Sequence, residues 1–173
     1  MKNNNSLTAK DLQSLINARS RHSGAAFEEL VNRSCDYYEE QGIAKIEKTP
    51  EPMKVLANLG GGLFKAVFTK QAQPDYKGTL RGGKAIVFET KHTDTGHIKR
   101  SVVTEEQEKC LNAYEKMGAV CYVLVSFGLR KFYKFPWKFF RDMKYHFGVK
   151  HIKEIDHISD FESKLVGDRL EFL

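Results

Sequence analysis

Two acidic residues and a lysine are spaced so that they could form one site for a metal ion. Glu89 and Lys91 lie two apart in the segment KAIVFETKHT, and strand geometry projects both side chains to the same side. Asp75 lies in the preceding turn-prone segment QAQPDYKGTLRGG, and a hairpin-like return would bring it beside Glu89. Magnesium takes one or two carboxylates and leaves positions for water and phosphate. The pattern therefore favours metal-assisted hydrolysis of a phosphodiester, with the lysine near the developing charge.

The acidic-x-lysine triplet is not rare in this chain. Glu89-Thr90-Lys91 differs from the others because it directly follows the apolar residues 85–88, and a buried strand needs a strong reason to end in two charges. The alternative is a solvated strand end held by salt bridges. Three further triplets have the same form: Asp75-Tyr76-Lys77, Asp142-Met143-Lys144 and Glu162-Ser163-Lys164.

Apolar periodicity predicts the elements that would position these residues. Residues 7–19 form a short polar helix, and a second helix starts at Ser23 and ends before Gly42. Strands are predicted over residues 43–48, 63–69 and 84–93. Thr104 begins TEEQ, a capping box that opens a helix running to Met117, and Gly118 closes that helix.

The segment AVCYVLVSFG is typical of a strand buried on both faces, and LRKFYKF predicts one more strand. Pro136 suits the first turn of a helix that contains Trp137, Phe139, Phe140 and Met143. The resulting order is αβββαβ with additions at both ends, an α/β fold with a mixed central sheet flanked by helices. Most rings of LRKFYKFPWKFFRDMKYHF are expected in the core, although the interleaved basic residues leave base stacking on single strands as an alternative.

Composition limits the class of protein. A chain of 173 residues suits a single domain (1–173), with a core at about 24–137, an N-terminal arm at 1–22 and a C-terminal extension at 138–173. The role of the extension stays open between a peripheral helix, a dimer arm and a DNA-contacting tail. The net charge of +6 suits a polyanionic partner. Three dispersed cysteines predict no disulfides, and the absence of a leader or an apolar span predicts a cytoplasmic location without a membrane.

Four segments in order carry a resemblance to a known family. GAAFEELVN, PDYKG, VFETKHT and TEEQEKCLNAYEKMGAVCYVLVSF resemble the RecU-type Holliday junction resolvases of Gram-positive bacteria and their phages, within the PD-(D/E)xK nuclease superfamily. The resemblance covers about residues 24–137 and implies a restriction-endonuclease-like core. It implies Mg²⁺ as the cofactor, with Mn²⁺ able to substitute, branched DNA such as a four-way junction as the partner, and a homodimer. A phage-encoded protein would act in the host cytoplasm.

The resemblance also assigns roles residue by residue. Asp75 and Glu89 would bind the divalent ion, with the Thr90 carbonyl as a further ligand, and Lys91 would position or activate the attacking water. Glu28 matches the family's helix carboxylate, and Gln107 matches a glutamine that faces the site. Both have ordinary alternatives, because Glu28 adjoins the equally charged Glu29 and Gln107 is the capping-box partner of Thr104.

Basic residues surround the predicted site in sequence and would contact phosphates, although a solvated cationic face explains any single lysine better. The family's stalk, which enters the centre of a junction, corresponds here to ANLGGGLFKAVFTKQAQ and looks shorter. The predicted DNA-binding residues are Lys65, Lys70, Lys77, Arg81, Lys99 and Arg100.

The leading hypothesis is a Mg²⁺-dependent, structure-selective endonuclease that resolves Holliday junctions by paired symmetric nicks. A less selective nuclease for duplex, flap or damaged DNA is an alternative with the same fold. A non-catalytic DNA-binding module is an alternative from another class, and absence of metal-dependent cleavage would favour it.

Overall fold

The computed structural model describes residues 9–50, 52–69, 73–154 and 158–173, with side chains from residue 18 onward. Short 3₁₀ turns occupy Arg100–Val102 and Ser159–Phe161. The helices are α1 (Ala9–Glu40), α2 (Glu105–Lys116), α3 (Trp137–Arg141) and α4 (Met143–Phe147). The strands are β1 (Ala44–Lys48), β2 (Met53–Gly60), β3 (Leu63–Phe68), β4 (Tyr76–Leu80), β5 (Ala85–Thr93), β6 (His97–Lys99), β7 (Val120–Phe127), β8 (Lys131–Pro136), β9 (His151–Lys153), β10 (Glu162–Val166) and β11 (Arg169–Glu171).

A seven-stranded mixed sheet with the order β1-β4-β5-β7-β8-β10-β11 forms the centre of the molecule. The central pair β5 and β7 is parallel, which requires a crossover, and the chain between them contains α2. The remaining pairs of this sheet are antiparallel. This arrangement confirms the predicted mixed sheet flanked by helices.

The N-terminal helical region differs from the prediction, because one continuous helix of 32 residues replaces two separate helices. No proline interrupts the segment, and each added residue gains one hydrogen bond once a helix has started. Gly24 in its middle costs about 1 kcal/mol relative to alanine. Burial of Phe27, Val31 and Cys35 against the sheet offsets that cost.

The predicted turn after Asp75 is also corrected, because Tyr76–Leu80 is the strand β4. Gly78 lies opposite Ile46, and a Cβ at Gly78 would be 2.1 Å from the Lys45 carbonyl oxygen. Gly78 is therefore required by the close approach of two backbones. In the sequence alone, a glycine at this position indicated a turn. The strands β2 and β6 were likewise not predicted, and the helix expected after Pro136 is divided into α3 and α4.

Alternating side chains of the sheet divide the core into two layers. Ile86 and Phe88 of β5 face α1, and Phe88 stacks between Tyr76 and Tyr122 with ring centroids 4.8 and 4.5 Å away. Val87 faces the opposite layer, which includes Leu111 of α2. The expectation of core packing for the aromatic segment is confirmed for its buried members, which are Phe132, Tyr133, Phe135, Trp137 and Phe140.

The hairpin of β2 and β3, residues 53–68, is exposed at every position. Gly60, Gly61 and Gly62 at its tip have φ values of 82°, 60° and 81°, a region that glycine adopts without strain. The hairpin also exposes a set of large apolar side chains, which a single chain normally buries. These are Met53, Val55, Leu56, Leu59, Leu63, Phe64, Val67 and Phe68.

Cys35, Cys110 and Cys121 are all free, as predicted. Among the helices of the described residues, none combines the length and the apolarity that a membrane crossing requires.

The C-terminal extension adds two strands to the central sheet and is anchored to α1. The Tyr38 hydroxyl accepts hydrogen bonds from the Phe172 and Leu173 amides at 2.8 and 3.2 Å and donates one to the Leu170 carbonyl at 3.1 Å. The Ser34 hydroxyl accepts from the Leu170 amide at 2.7 Å. The Tyr38 hydroxyl alone thus forms hydrogen bonds with three backbone groups at the end of the chain.

Tyr38→Phe is expected to lower the free energy of unfolding by about 1–3 kcal/mol, because it leaves buried backbone groups without partners. Chemical denaturation at neutral pH measures the effect. Tyr37→Phe is the matched control, since the Tyr37 ring contacts the Arg169 guanidinium at 3.9 Å and phenylalanine keeps that face. Equal effects of the two substitutions would contradict the anchoring role of the Tyr38 hydroxyl.

Candidate active site

Asp75 lies immediately before β4, on the side of the sheet opposite α1. Its neighbour Tyr76 is fully buried against α1, so strand alternation turns Asp75 towards α2. The Asp75 Oδ2 atom accepts hydrogen bonds from the Thr90 amide at 2.8 Å and the Thr90 hydroxyl at 3.1 Å. These two bonds fix one carboxylate oxygen beside the end of β5.

The proline before Asp75 has a structural consequence for Thr90. Tyr76 pairs with Phe88 at the end of β4, and an extension of this antiparallel register by two residues would place Pro74 opposite Thr90. In a strand the amide and carbonyl of one residue point to the same edge, and the Thr90 amide points to Asp75. Proline has no amide hydrogen to donate. Pro74 therefore could not supply a backbone donor to the Thr90 carbonyl.

Glu89 is fully buried in the middle of β5. Its Oε2 atom accepts from Lys91 Nζ at 2.9 Å and from Gln107 Nε2 at 2.5 Å, while Oε1 is buried without a hydrogen-bond partner. Burial raises the pKa of Glu89 to about 7, the Lys91 charge opposes this rise, and the nearby Asp75 carboxylate adds to it. A buried carboxylate with one unpartnered oxygen is a strong candidate for a cation ligand.

Lys91 lies on the same side of β5 as Glu89, as strand periodicity predicts. Its ammonium is 2.9 Å from Glu89 Oε2 and 3.9 Å from Asp75 Oδ2. The structure therefore brings Asp75, Glu89 and Lys91 into one cluster. His92 lies outside this cluster, where its ring nitrogens contact Ser126 Oγ and Asp94 Oδ1, each at 3.1 Å.

Gln107 combines the two roles that the sequence left open. Its side-chain Oε1 accepts from the Thr104 backbone amide at 3.1 Å, and the Gln107 backbone amide donates to Thr104 Oγ1 at 3.2 Å. These two bonds complete the capping box of α2. Because Oε1 is committed to the cap, the Nε2 group is the one that faces Glu89. The first turn of α2 thereby orients Glu89.

Gln107→Glu is expected to preserve α2, because glutamate accepts at this capping-box position as glutamine does. It replaces the donor to Glu89 by a second carboxylate, and like charges at this distance raise the pKa of one or both acids. We expect metal-dependent activity to fall about 10–100-fold and the requirement for high pH to increase. Circular dichroism and the pH profile of activity test this, with Gln107→Ala as the control that removes both contacts. A glutamate variant that keeps the wild-type pH profile would contradict the role.

Glu28 is not in contact with the carboxylate pair among the described residues. Its carboxylate forms an ion pair with Lys48 Nζ at 2.5 Å, and the Tyr76 hydroxyl donates to its backbone carbonyl at 3.3 Å. Lys48 pairs with Tyr76 in the sheet, next to Asp75. The sequence interpretation missed Lys48, whose only signal was its place at the end of the predicted strand 43–48. The pair therefore involves the edge strand β1 of the central sheet.

The predicted DNA-binding residues have different surroundings. Arg81 donates to the Gly42 and Gln41 carbonyls at 2.6 and 3.0 Å, which caps the end of α1, and Lys77 donates to Gln73 at 3.0 Å. Lys65 is exposed on the hairpin, and Lys99 is exposed on β6. Arg100 is ion-paired with Glu108 at 2.6 Å. Lys70 lies outside the described residues.

The donors present fit a hard divalent cation. Asp75 and Glu89 supply two carboxylates, the number that magnesium commonly takes, and Glu89 Oε1 has no other partner. Within the described ranges, no group of three or more His, Cys, Asp or Glu side chains is placed to hold a metal. Any hard cation held here would therefore need water, substrate or backbone oxygens in its remaining positions.

The class of protein follows from this arrangement. Pro74-Asp75 lies immediately before β4, and Glu89-Thr90-Lys91 lies on the neighbouring strand β5 of a mixed sheet, which is the motif of the PD-(D/E)xK class. The chain matches the family model described as RecU, Recombination protein U, over residues 22–166. This match covers most of the chain, which therefore belongs to the RecU family.

Known proteins of similar sequence have consistent names. The Holliday junction resolvase RecU of Pediococcus pentosaceus is 31% identical over 110 residues, or 60% of this chain and 54% of that protein. The one from Streptococcus sanguinis is 25% identical and covers 88% of both chains. The chain spans about half the length of the first two curated relatives, at 54% and 51%.

A comparison of structures finds the Holliday junction resolvase Hjc of Archaeoglobus fulgidus. The identity is 16% and the TM-score is 0.38, with 60% of this chain and 73% of that chain covered.

Proposed function

We propose that this protein is a Mg²⁺-dependent, structure-selective DNA endonuclease that resolves four-way junctions by hydrolysis. The observation that carries the proposal is the buried Glu89, whose unpartnered Oε1 lies in the cluster with Asp75 and Lys91. Membership of the RecU family supports the same activity, since its relatives are named Holliday junction resolvases. Mn²⁺ is proposed to substitute for Mg²⁺.

Each residue of the cluster has a proposed part in the hydrolysis. Asp75, Glu89 and the Thr90 carbonyl would hold the ion, which when bound supplies charge neutralisation at the phosphate and a more acidic water. Lys91, held by Glu89 at 2.9 Å, would orient the attacking water and stabilise the charge on phosphate. Gln107 keeps the Glu89 carboxylate in its orientation through the bond at 2.5 Å.

Glu28 is proposed to act from the edge of the site rather than as a direct ligand. Its ion pair with Lys48 at 2.5 Å holds the Glu28 carboxylate at the strand position that pairs with Tyr76, the residue after Asp75. A phosphate arriving at Asp75 would compete with Glu28 for the Lys48 ammonium, because both are anions that an ammonium binds as a point charge. Glu28 would then be free to accept from water near the reacting phosphate.

The exposed hairpin of residues 53–68 supports selectivity for branched DNA. It contains residues 57–68 of the segment that corresponds to the family's stalk, and it exposes apolar side chains, Leu59 and Phe64 among them, with 65% and 55% of their surface accessible. At the centre of a junction the base pairs are unstacked at one face, and apolar or aromatic side chains can cover that face. We propose this role for Phe64 and its neighbours.

The assembly proposed for this activity is a homodimer, because two symmetric nicks across one junction require two active sites. Each protomer would be one nuclease domain, which the continuous seven-stranded sheet from β1 to β11 supports. Phosphate contacts are proposed for Lys65, Lys70, Lys77, Lys99 and Arg100. For Arg81, the two carbonyl partners at α1 leave fewer free donors.

Cleavage of a labelled four-way junction and of its matching linear duplex, with Mg²⁺ or with EDTA, tests the proposed function. Paired nicks on the junction alone, dependent on metal, are expected. Equal cleavage of the linear duplex would instead indicate a less selective nuclease of the same fold. No cleavage of either substrate, by protein that binds both, would indicate a DNA-binding module without turnover.

A further inference from the structure

Three adjoining surface depressions form a continuous groove on the α2 side of the sheet. The first and second share Arg141 and Lys144, and the first and third share Lys99. We name this surface the cationic groove. Its basic lining residues are His97, Lys99, Arg100, Lys138, Arg141, Lys144, His146, Lys150, His151 and Lys153.

One end of the cationic groove is a two-stranded ribbon made by β6 and β9. Ile98 pairs with Ile152, and both are buried. Strand alternation therefore places the flanking pairs, His97 with Lys153 and Lys99 with His151, together on the outer face. The Lys150 carbonyl accepts from the Arg100 amide at 2.9 Å, which ties the preceding loop to the same ribbon.

Some basic side chains of the groove form ion pairs with acidic side chains of the same protein, and others do not. Arg100 is paired with Glu108 at 2.6 Å, and Arg141 contacts both Glu115 and Asp142 at 2.8 and 3.3 Å. Glu105 is the remaining acid in its lining. Within the described part of the chain, Lys99, Lys144 and Lys150 form no ion pair. Lys99, Lys144 and Lys150 thus leave positive charge available to an external anion.

The groove begins beside the active site. Thr104, Glu105 and Glu108 from the first turn of α2 line it, and Gln107 of the same turn donates to Glu89 at 2.5 Å. A nucleic acid strand leaving the carboxylate cluster along α2 would pass the first turn of that helix, where Glu108 is paired with Arg100, before it reached the lysines of the groove. Elongated cationic surfaces of this kind bind the phosphate backbone without reading sequence.

We infer that the cationic groove binds the phosphate backbone of a duplex DNA arm next to the cleavage site. The C-terminal segment supplies most of its basic residues, through α3, α4, the following loop and β9, so this part of the extension contributes to DNA binding. The inference rests on the proposed function and names the surface that holds the arm. Lys99 and Lys150 contribute phosphate contacts, with Lys144 at the junction of two depressions.

Salt-dependent binding of a short linear duplex in EDTA tests the groove independently of cleavage. Lys99→Gln with Lys150→Gln is compared with Lys116→Gln and Lys164→Gln, two exposed lysines outside the groove. Both double variants lose the same charge. Each phosphate contact contributes about 0.9 to the slope of log K against log salt, so the groove variant should lose a slope of about 2.

We also expect about 10-fold weaker binding by the groove variant at about 0.1 M salt, with thermal unfolding unchanged. The control variant should retain the wild-type slope. Equal slopes for the two variants, or an unchanged slope for the groove variant, would overturn the inference. Cleavage assays of the wild type separate this result from the proposed function, since a protein inactive on junctions could still bind duplex through the groove.

Discussion

Asp75→Asn is expected to reduce metal-dependent cleavage of a junction by about 10³-fold or more, while binding of the junction in EDTA stays close to that of wild type. The substitution keeps an oxygen that can accept from Thr90, whose amide and hydroxyl donate to Asp75 at 2.8 and 3.1 Å. It removes the negative charge next to Glu89. A loss of cleavage would therefore reflect weaker binding of the cation and weaker stabilisation of the developing charge, rather than a change in local folding.

Single-turnover cleavage with excess enzyme measures this effect without product release. Asp160→Asn removes one carboxylate from an exposed 3₁₀ turn remote from the cluster and is the matched control. Cleavage by Asp75→Asn within a few-fold of the control would remove Asp75 from the proposed metal site. Loss of junction binding together with loss of the folded state would show that the substitution acts on structure instead.

Glu89→Gln is expected to have opposite effects on activity and stability, abolishing cleavage while stabilising the metal-free protein at alkaline pH. Burial raises the pKa of Glu89 from 4.5 to about 7. Between these values the folded protein binds more protons than the unfolded chain, so the stability contributed by the neutral acid is lost as pH rises. The full difference amounts to about 3 kcal/mol at 1.36 kcal/mol for each pH unit.

Urea denaturation in EDTA from pH 5 to pH 8 measures the difference between wild type and Glu89→Gln. We expect the variant to gain about 2–3 kcal/mol relative to wild type across this range, because glutamine carries no charge to bury. Adding Mg²⁺ at pH 8 should stabilise wild type and leave the variant unchanged, since ligands that bind only the folded state stabilise it. A pH-independent difference between the two proteins would contradict the buried-acid account.

The local part of the site follows from sequence periodicity. Glu89 and Lys91 share one side of β5 because strands alternate, and Gln107 is fixed three residues after Thr104 by the capping box. The apolar run before Glu89 also indicated the buried strand on which Glu89 lies. These relationships span two or three residues, so the chain's own covalent geometry decides them.

Tertiary structure decided the features that join distant segments. Gly78 belongs to a strand that pairs with β1 on one side and β5 on the other, and the partner of Glu28 is Lys48 of the edge strand. The cationic groove depends on the pairing of Ile98 with Ile152, which are buried together although far apart in sequence. Local propensity carries no information about such pairs, because the free energy that selects them comes from burying both partners at once.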